Sequence, residues 1–370
     1  MRIAFDYQIF CQQYYGGVSR YFVRLAEQLI ARQQAVGIFA PLYLNHYVKE
    51  LPAGVVYGRA LNRYPPRGAR VIRQFNHFFS KRAIQKWLPQ VVHATYYSRW
   101  STAPKSCLTV LTVYDMIYEL FTDRFSARNK TTLAKRMAID RADHVICISE
   151  CTRRDVVNLF GIREDKLSVI PLGFERFAHD FMPTKKAPAP PKPYLLYVGN
   201  RGGYKNFSGF VRAVASSERL KSDFDILAFG GGRFIPSEMT LLSELDFRSD
   251  QVRQLGGNDT LLGHLYDQAS AFVFPSLYEG FGMPPLEAMA HQCPVISSNT
   301  SSMPEVIGEA GEFFNPKSID DMAVAIERVV YSPSRTQDLT ERGRKRLDLF
   351  SWERCADRTL DIYRSLIGHV

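Results

Sequence analysis

A proline-rich run at residues 183–193 places five prolines in eleven positions and splits this chain into two halves of like pattern. The run reads as a stiff, extended linker. On either side of it, short apolar stretches alternate with segments of helical spacing. The strand-like stretches before it are 2–5, 36–40, 91–93, 108–113, 144–148 and 167–170. Those after it are 194–198, 225–229, 252–255, 271–274, 294–297 and 312–314. Among the helical segments, Val18, Tyr21, Phe22, Leu25 and Leu29 fall on one face and form a core-facing stripe. Strands alternating with helices predict βαβ units and a parallel sheet. The expected fold class is therefore α/β, with two doubly wound, Rossmann-like domains of about six strands each. Their parallel sheets are expected to face one another across a cleft. The expected bounds are 1–173, a linker at 174–193, and 194–351, with a last helix within 352–370. Clefts between domains are common ligand sites, but a fold alone names no ligand.

Charge separates the halves. Residues 1–173 hold 25 Lys and Arg against 12 Asp and Glu, while the remainder holds 22 against 25. Between Glu50 and Asp115 there is no acid, only ten bases: Arg59, Arg63, Arg67, Arg70, Arg73, Lys81, Arg82, Lys86, Arg99 and Lys105. The first half is expected to meet an anionic partner. Within 70–88, Ile72, Phe75, Phe78, Phe79, Ile84 and Trp87 lie among these bases. Aromatics mixed with bases mark a helix on an anionic membrane surface. A core-facing helix with a solvated basic face is the plainer reading. No nucleic-acid-binding motif accompanies the charge, so nucleic acid is not expected as a partner. No apolar run approaches the roughly 20 residues of a membrane span. The opening Met1-Arg-Ile-Ala-Phe-Asp6 reads as a strand with an acidic end rather than a signal peptide. The six cysteines show no paired spacing, which suits a reducing cytoplasm, with the protein peripheral at the inner face of the membrane.

The polar residues that could carry chemistry lie where strands end. Ala271-Phe-Val-Phe-Pro275 is a buried strand closed by proline, followed by Leu277-Tyr-Glu-Gly-Phe-Gly-Met-Pro-Pro-Leu-Glu287. Glu279 falls in the strand-to-helix loop. Glu287 is expected on the first helical turn, opened by Pro284 and Pro285, where the helix dipole favours an anion. Both carboxylates can accept from a hydroxyl-rich ligand, a sugar or a ribose, at the carboxyl end of a parallel strand. Val198-Gly-Asn-Arg-Gly-Gly-Tyr-Lys-Asn206 puts Arg201 and Lys205 in a glycine-rich loop, where two cations suit a pyrophosphate; the alternative is two solvated cations. Gly16 and Gly17 open the first helix and either let backbone N–H groups approach an anion or simply shape a loop. Gly230, Gly231 and Gly232 read as a turn that would let a base ring approach the backbone. His93, Tyr114 and Asp115 end first-half strands. His93 is either a site residue or a structural one, and Asp115 either a site residue or a helix cap.

Taken together, these residues resemble the retaining, GT-B-fold glycosyltransferases of the GT4 type, whose E-x7-E signature Glu279 and Glu287 match. The resemblance covers nearly the whole chain. It includes Gly16-Gly17 with Arg20, Ile148-Ser149 through Thr152, Ile170-Pro-Leu-Gly173, Arg201 and Lys205, and Met303-Pro-Glu-Val306. The resemblance implies a nucleotide-sugar donor bound by the second domain. Arg201 and Lys205 would hold its diphosphate, Glu287 its ribose and Glu279 its sugar hydroxyls. The amides of Phe281, Gly282 and Met283 would lie beside sugar and phosphate. Gly16 and Gly17 would also serve the donor. The C-terminal helix would cross back onto the first domain, which would bind the acceptor. No metal or other cofactor is implied; cations and helix N-termini would stabilise the departing diphosphate. Glu279, Asp115, Arg201 and Lys205 are the expected catalytic set. Many relatives carry a histidine where this chain has Tyr114, so His93 and Tyr114 are placed on the acceptor side. The 200–207 loop looks mannosyltransferase-like, implying a GDP-activated, mannose-like sugar first and a UDP-sugar next. The implied acceptor is a glycan or a lipid-diphosphate-linked glycan of bacterial polysaccharide synthesis, lipopolysaccharide included. Two other readings stand beside this one: a nucleotide-sugar epimerase on the same fold, and a basic lipid- or nucleic-acid-binding protein without activity.

Overall fold

The computed structural model describes residues 1–65, 68–122, 125, 129–174 and 192–368. The proline-rich run up to residue 191, and Arg67 among the basic residues, lie outside the described residues. The chain divides into two compact units, Met1–Gly173 with Ser351–Val370, and Phe174–Phe350.

The first unit is built on seven parallel strands: β1 (Arg2–Phe5), β2 (Ala35–Tyr43), β3 (Val56–Ala60), β4 (Val91–Ala94), β5 (Leu108–Val113), β6 (His144–Cys147) and β7 (Leu167–Val169). They lie in the order β3-β2-β1-β4-β5-β6-β7, so the winding reverses between β1 and β4. Central parallel strands are covered on both faces and read as continuous apolar runs. Ile3, Ala4 and Phe5 of β1 are accordingly all buried. Strand β3 has no counterpart in the sequence expectation of about six strands. It is the edge strand, four of its five residues are exposed, and no apolar run marks it. Gly58 lets it approach β2, since a Cβ there would lie 1.7 Å from the Ala40 carbonyl oxygen.

Helices supply the rest of this unit. The helix Gly17–Ala31 buries Tyr21, Phe22, Leu25 and Leu29 of the expected stripe, while Val18, in its first turn, is only half-buried. The last helix, Trp352–Gly368, belongs here as well. Its Trp352 ring lies against Gly173, where an added Cβ would come within 2.4 Å of the indole. A third helix, Ala69–Trp87, buries Asn76, Ser80 and Ile84 and exposes Val71, Phe75, Phe78 and Phe79. Asn76 pins it to β2, accepting from the Leu42 N–H at 2.8 Å and donating to the Leu42 carbonyl at 2.9 Å. Among the described residues, no helix is long and apolar enough to cross a membrane.

The second unit holds six parallel strands: β8 (Tyr194–Val198), β9 (Asp225–Phe229), β10 (Val252–Leu255), β11 (Ala271–Phe274), β12 (Val295–Ser298) and β13 (Gly311–Phe314). Their order is β10-β9-β8-β11-β12-β13, with the reversal between β8 and β11. Leu195, Tyr197, Phe210, Val214, Ile226, Val273 and Ile326 share one core cluster. A fully buried side chain such as Phe210 contributes about 1.5–3 kcal/mol relative to an exposed one. All six cysteines are buried and unbridged.

Candidate active site

Open α/β sheets bind ligands where the strand order reverses, beyond the carboxyl ends of the two diverging strands. In the second unit those strands are β8 and β11, and the loops beyond them carry Lys205 and Glu279. The structure brings this pair together: Lys205 Nζ lies 2.6 Å from Glu279 Oε1, with both side chains mostly buried. The backbones meet as well, the Leu277 N–H donating to the Tyr204 carbonyl at 2.7 Å. Two serines hold the Glu279 loop. Ser301 Oγ accepts from the Glu279 N–H at 3.0 Å, and Ser302 Oγ donates to the Glu279 and Phe281 carbonyls, each at 2.9 Å. Sequence reasoning missed both serines, because nothing in their spacing shows that they close on a loop twenty-odd residues upstream. Gly282 caps the helix Met283–Ala290 with φ +110°, and a side chain there would strike the Met303 methyl at 2.6 Å. Glycine is the residue that tolerates both constraints.

Glu287 is not on the first turn of that helix. The helix begins at Met283, so Pro284 and Pro285 fill the first turn and Glu287 falls on the second. Its carboxylate accepts from the Tyr266 hydroxyl at 3.3 Å, and burial holds that phenol well above its ordinary pKa. Tyr266 thus stays a donor.

Arg201 has a different place from the one expected. Its side chain is almost fully buried and does not stand beside Lys205 as a second open cation. Nε and Nη2 donate to Glu238 at 3.0 and 3.3 Å. Nη1 donates to the Gly230 carbonyl at 2.9 Å, and Nη2 reaches the Gly232 and Arg233 carbonyls at 2.9 and 3.0 Å. The guanidinium also lies 4.7 Å over the Phe234 ring, a cation–π distance. Arg201 therefore clamps the triple-glycine turn, and all three glycines take positive φ. Glu238 also accepts from the Ile235 N–H at 2.9 Å at the start of its own helix. It was missed because the residue three before it, an isoleucine, is no capping signal.

In the first unit the strand-end residues scatter. Gly16 and Gly17 do open a helix, but the Gln13 side chain already serves its first turn, accepting from the Ser19 N–H at 3.3 Å. A Cβ on Gly16 would lie 2.2 Å from that Gln13 oxygen, so a larger residue there would displace the Gln13 side chain from the turn. His93 is a core residue and not an acceptor-side group. It is wholly buried, with Nδ1 2.6 Å from the Tyr363 hydroxyl and Nε2 2.9 Å from Thr112 Oγ1. Burial pushes its pKa down to about 3, so the ring is neutral. Tyr114 is buried too. Its N–H donates to the Tyr97 hydroxyl at 3.1 Å, its own hydroxyl has no hydrogen-bond partner among the described residues, and burial raises its pKa well above the ordinary value.

Asp115 remains partly exposed. Its Oδ1 accepts from the Ile117 N–H at 3.1 Å, the capping geometry of a turn, and lies 3.9 Å from Lys135 Nζ. Lys135 is fully buried, donating to the Asp115 carbonyl at 2.8 Å and to Glu119 at 2.7 Å, with its ammonium 5.2 Å over the Tyr97 ring. This buried lysine fixes the backbone on which Asp115 sits. The sequence hides it as one base among several on a helix of weak periodicity.

The chain is similar to a sucrose-phosphate synthase from Thermosynechococcus elongatus, with a TM-score of 0.76 and 21% identity over 100% of this chain and 99% of that one. It is also similar to WaaG, a glycosyltransferase involved in lipopolysaccharide biosynthesis, with a TM-score of 0.71 and 16% identity over 98% and 99% of the two chains. Likeness at that identity carries the fold alone, and the fold is GT-B. Two family models then cover most of the sequence. "Glycosyl transferases group 1" matches residues 178–346, and "Glycosyltransferase Family 4" matches residues 15–176. The chain belongs to the GT4 glycosyltransferase family. One relative is "O-antigen chain mannosyltransferase B" of Escherichia coli, 30% identical over 242 residues. The matched stretch spans 62% of this chain and 62% of that protein, under two thirds of either length.

Proposed function

We propose that the chain is a retaining hexosyltransferase. It would move a mannose-like sugar from a nucleoside-diphosphate donor, GDP-linked first and UDP-linked next, to a glycan or lipid-linked glycan in polysaccharide synthesis. The Lys205–Glu279 pair at the switch point of the second sheet carries this reading. A diphosphate beside Lys205 would compete for its ammonium and free Glu279 to accept from sugar hydroxyls. Glu287, one helical turn further along, would take the ribose. When the glycosyl–phosphate bond breaks, negative charge grows on the diphosphate. Lys205 and the backbone N–H groups of Phe281, Gly282 and Met283, which precede the two prolines, stabilise it. The acceptor attacks from the leaving-group face, and the departing phosphate takes its proton, which retains the anomeric configuration. Glu279 positions the sugar and is not the nucleophile. Arg201 serves the donor through the turn it clamps, and no metal is assigned a role. Support for the mannose-like sugar comes from the relative's name. A thermal-shift screen of GDP, UDP, ADP and their sugars tests the reading. A ligand at 100 times its Kd adds about 2.7 kcal/mol of stability. No shift with any of them would overturn it.

The exposed face of the Ala69–Trp87 helix favours a second element. Phe75, Phe78 and Phe79 lie there among exposed Arg70, Arg73, Lys81, Arg82 and Lys86, without an acid. This suits peripheral contact with an anionic, cytoplasmic membrane face. Removing those bases should abolish sedimentation with anionic vesicles, and unchanged sedimentation would refute the contact.

A further inference from the structure

The first unit carries an aromatic shelf that none of the roles above uses. It is formed by Tyr14 and Tyr15, in the loop after β1, and by His46 and Tyr47, just beyond β2. The His46 ring lies near-parallel to both tyrosines, 4.9 Å from Tyr15 at 14° and 6.0 Å from Tyr14 at 25°. Tyr47 meets Tyr15 edge-on at 5.3 Å. Yet Tyr14 is 40% and Tyr15 64% exposed. Large rings normally bury their faces, so stacked rings left open to solvent are surface available to a ligand.

The shelf is firmly built. Asn45 is buried, and its side-chain amide donates to the Gln13 and Tyr14 carbonyls at 3.0 and 3.3 Å. The His46 N–H donates to the Tyr14 carbonyl at 3.0 Å, and the Leu44 and Asn45 N–H groups donate to the Phe10 carbonyl. These bonds tie the two loops together, so the rings hold their register. They sit beyond the carboxyl ends of parallel strands, where such sheets bind ligands. Gly16, the cap of the first helix, is the next residue after Tyr15.

The chemistry of the surroundings narrows the ligand. The chain carries no Asp, Glu, Lys or Arg from residue 7 to 19, nor from 33 to 48. In a half with a strong excess of bases, these two stretches offer only phenols, amides, hydroxyls and one imidazole around the rings. These two stretches themselves supply no cation for a phosphate and no acid for a basic peptide; the charges nearest to the rings in sequence are Arg20, Lys49 and Glu50. A pyranose fits it: the sugar's C–H face lies flat on an aromatic ring, and its rim of hydroxyls meets neutral donors and acceptors. We infer that Tyr14, Tyr15 and His46 form the subsite on which an uncharged sugar ring of the acceptor glycan stacks. This inference rests on the glycan acceptor proposed above.

The test is saturation-transfer NMR on the full chain, with mannotriose as the sugar probe and guanosine as the stacking control. Mannotriose should show transfer, strongest at the ring protons of one face. Tyr15→Ala and His46→Ala should each weaken its binding about tenfold, a loss of about 1.4 kcal/mol. Tyr15→Phe should retain binding, because the ring face is kept. In the same samples the GDP-induced thermal shift should survive every substitution, which separates failure of the shelf from failure of the donor reading. Equal mannotriose binding by Tyr15→Ala and the unaltered chain would overturn the assignment. So would transfer to guanosine but not to mannotriose, or a Tyr15→Phe variant as weak as Tyr15→Ala.

Discussion

The two sheets have the same winding, yet their switch points treat polar residues in opposite ways. At β8 and β11 of the second unit, the loops are long and glycine-rich, and they keep Lys205 and Glu279 partly accessible and paired. At β1 and β4 of the first unit, the polar residues near the strand ends are drawn into the core. Asp6 is buried, accepting from the Thr95 hydroxyl and N–H at 2.6 and 3.0 Å. His93 is closed over by Tyr363 from the last helix. The same topology thus yields a candidate chemical site in one unit and a structural polar network in the other. What separates them is whether the strands end in open glycine-rich loops or are covered by another element.

The accessible pair itself should respond most strongly to substitution. Lys205→Ala and Glu279→Ala should each lower kcat with saturating donor by about 10²–10³-fold, the usual cost of losing one group that stabilises developing charge. Glu279→Gln keeps hydrogen bonding but not charge, and should fall between. If both alanine variants turn over within threefold of the unaltered chain, the pair is not the site.

Arg201 tests the boundary between site and scaffold. Arg201→Ala removes the guanidinium's hydrogen bonds to Glu238 and to the Gly230, Gly232 and Arg233 carbonyls, and should cost about 2–3 kcal/mol in urea unfolding. Lys205→Ala leaves a single mostly buried carboxylate without its partner and should cost less, about 1–2 kcal/mol. An Arg201→Ala variant as stable as the unaltered chain, but unable to bind donor, would return Arg201 to the diphosphate.

Which features could be read from sequence obeys the same divide. Strands β1, β5, β8, β9 and β11 were legible to the residue, because a doubly covered parallel strand is an apolar run bounded by turn residues. The edge strand β3 was not, because its exposed side chains and Gly58 carry no pattern. Glu279 and Lys205 were legible because each is placed by its own strand-loop-helix spacing. His93 was not, because its surroundings come from Tyr363, 270 residues away. Arg201 was half legible: its loop could be seen, but the turn that captures its guanidinium arrives from β9. Local spacing tells where a side chain starts, and distant packing decides what it meets.

His93 makes the scaffold side of the comparison measurable by pH. Its folded pKa, about 3, lies below the roughly 6.5 of an unfolded histidine. Between those values the unfolded chain binds a proton that the folded chain does not, so stability falls as the solution is acidified. The contribution is fully present above about pH 6.5 and is lost at roughly 1.4 kcal/mol per pH unit below it, about 2 kcal/mol by pH 5. His93→Gln should be less stable at pH 7, with a shallower slope between pH 6.5 and 5. Parallel slopes for the two proteins would mean that His93 titrates normally and is open to solvent.

The smallest effect separates two ways of holding the last helix. Its surface tie is Arg32 to Asp357 at 2.5 Å, with the Asp357 side chain more than half exposed. Its core tie is the Tyr363 hydroxyl on His93. Surface pairs contribute little because solvent screens them and ordering two side chains costs entropy. A double-mutant cycle of Arg32→Ala and Asp357→Ala should therefore give a coupling under about 1 kcal/mol, shrinking further in high salt. Tyr363→Phe should cost more, about 1–3 kcal/mol, because it leaves a buried ring nitrogen unpartnered. If the surface cycle gave the larger number, the first unit would be held at its periphery. The contrast between a buried polar network there and an accessible pair in the second unit would then fail.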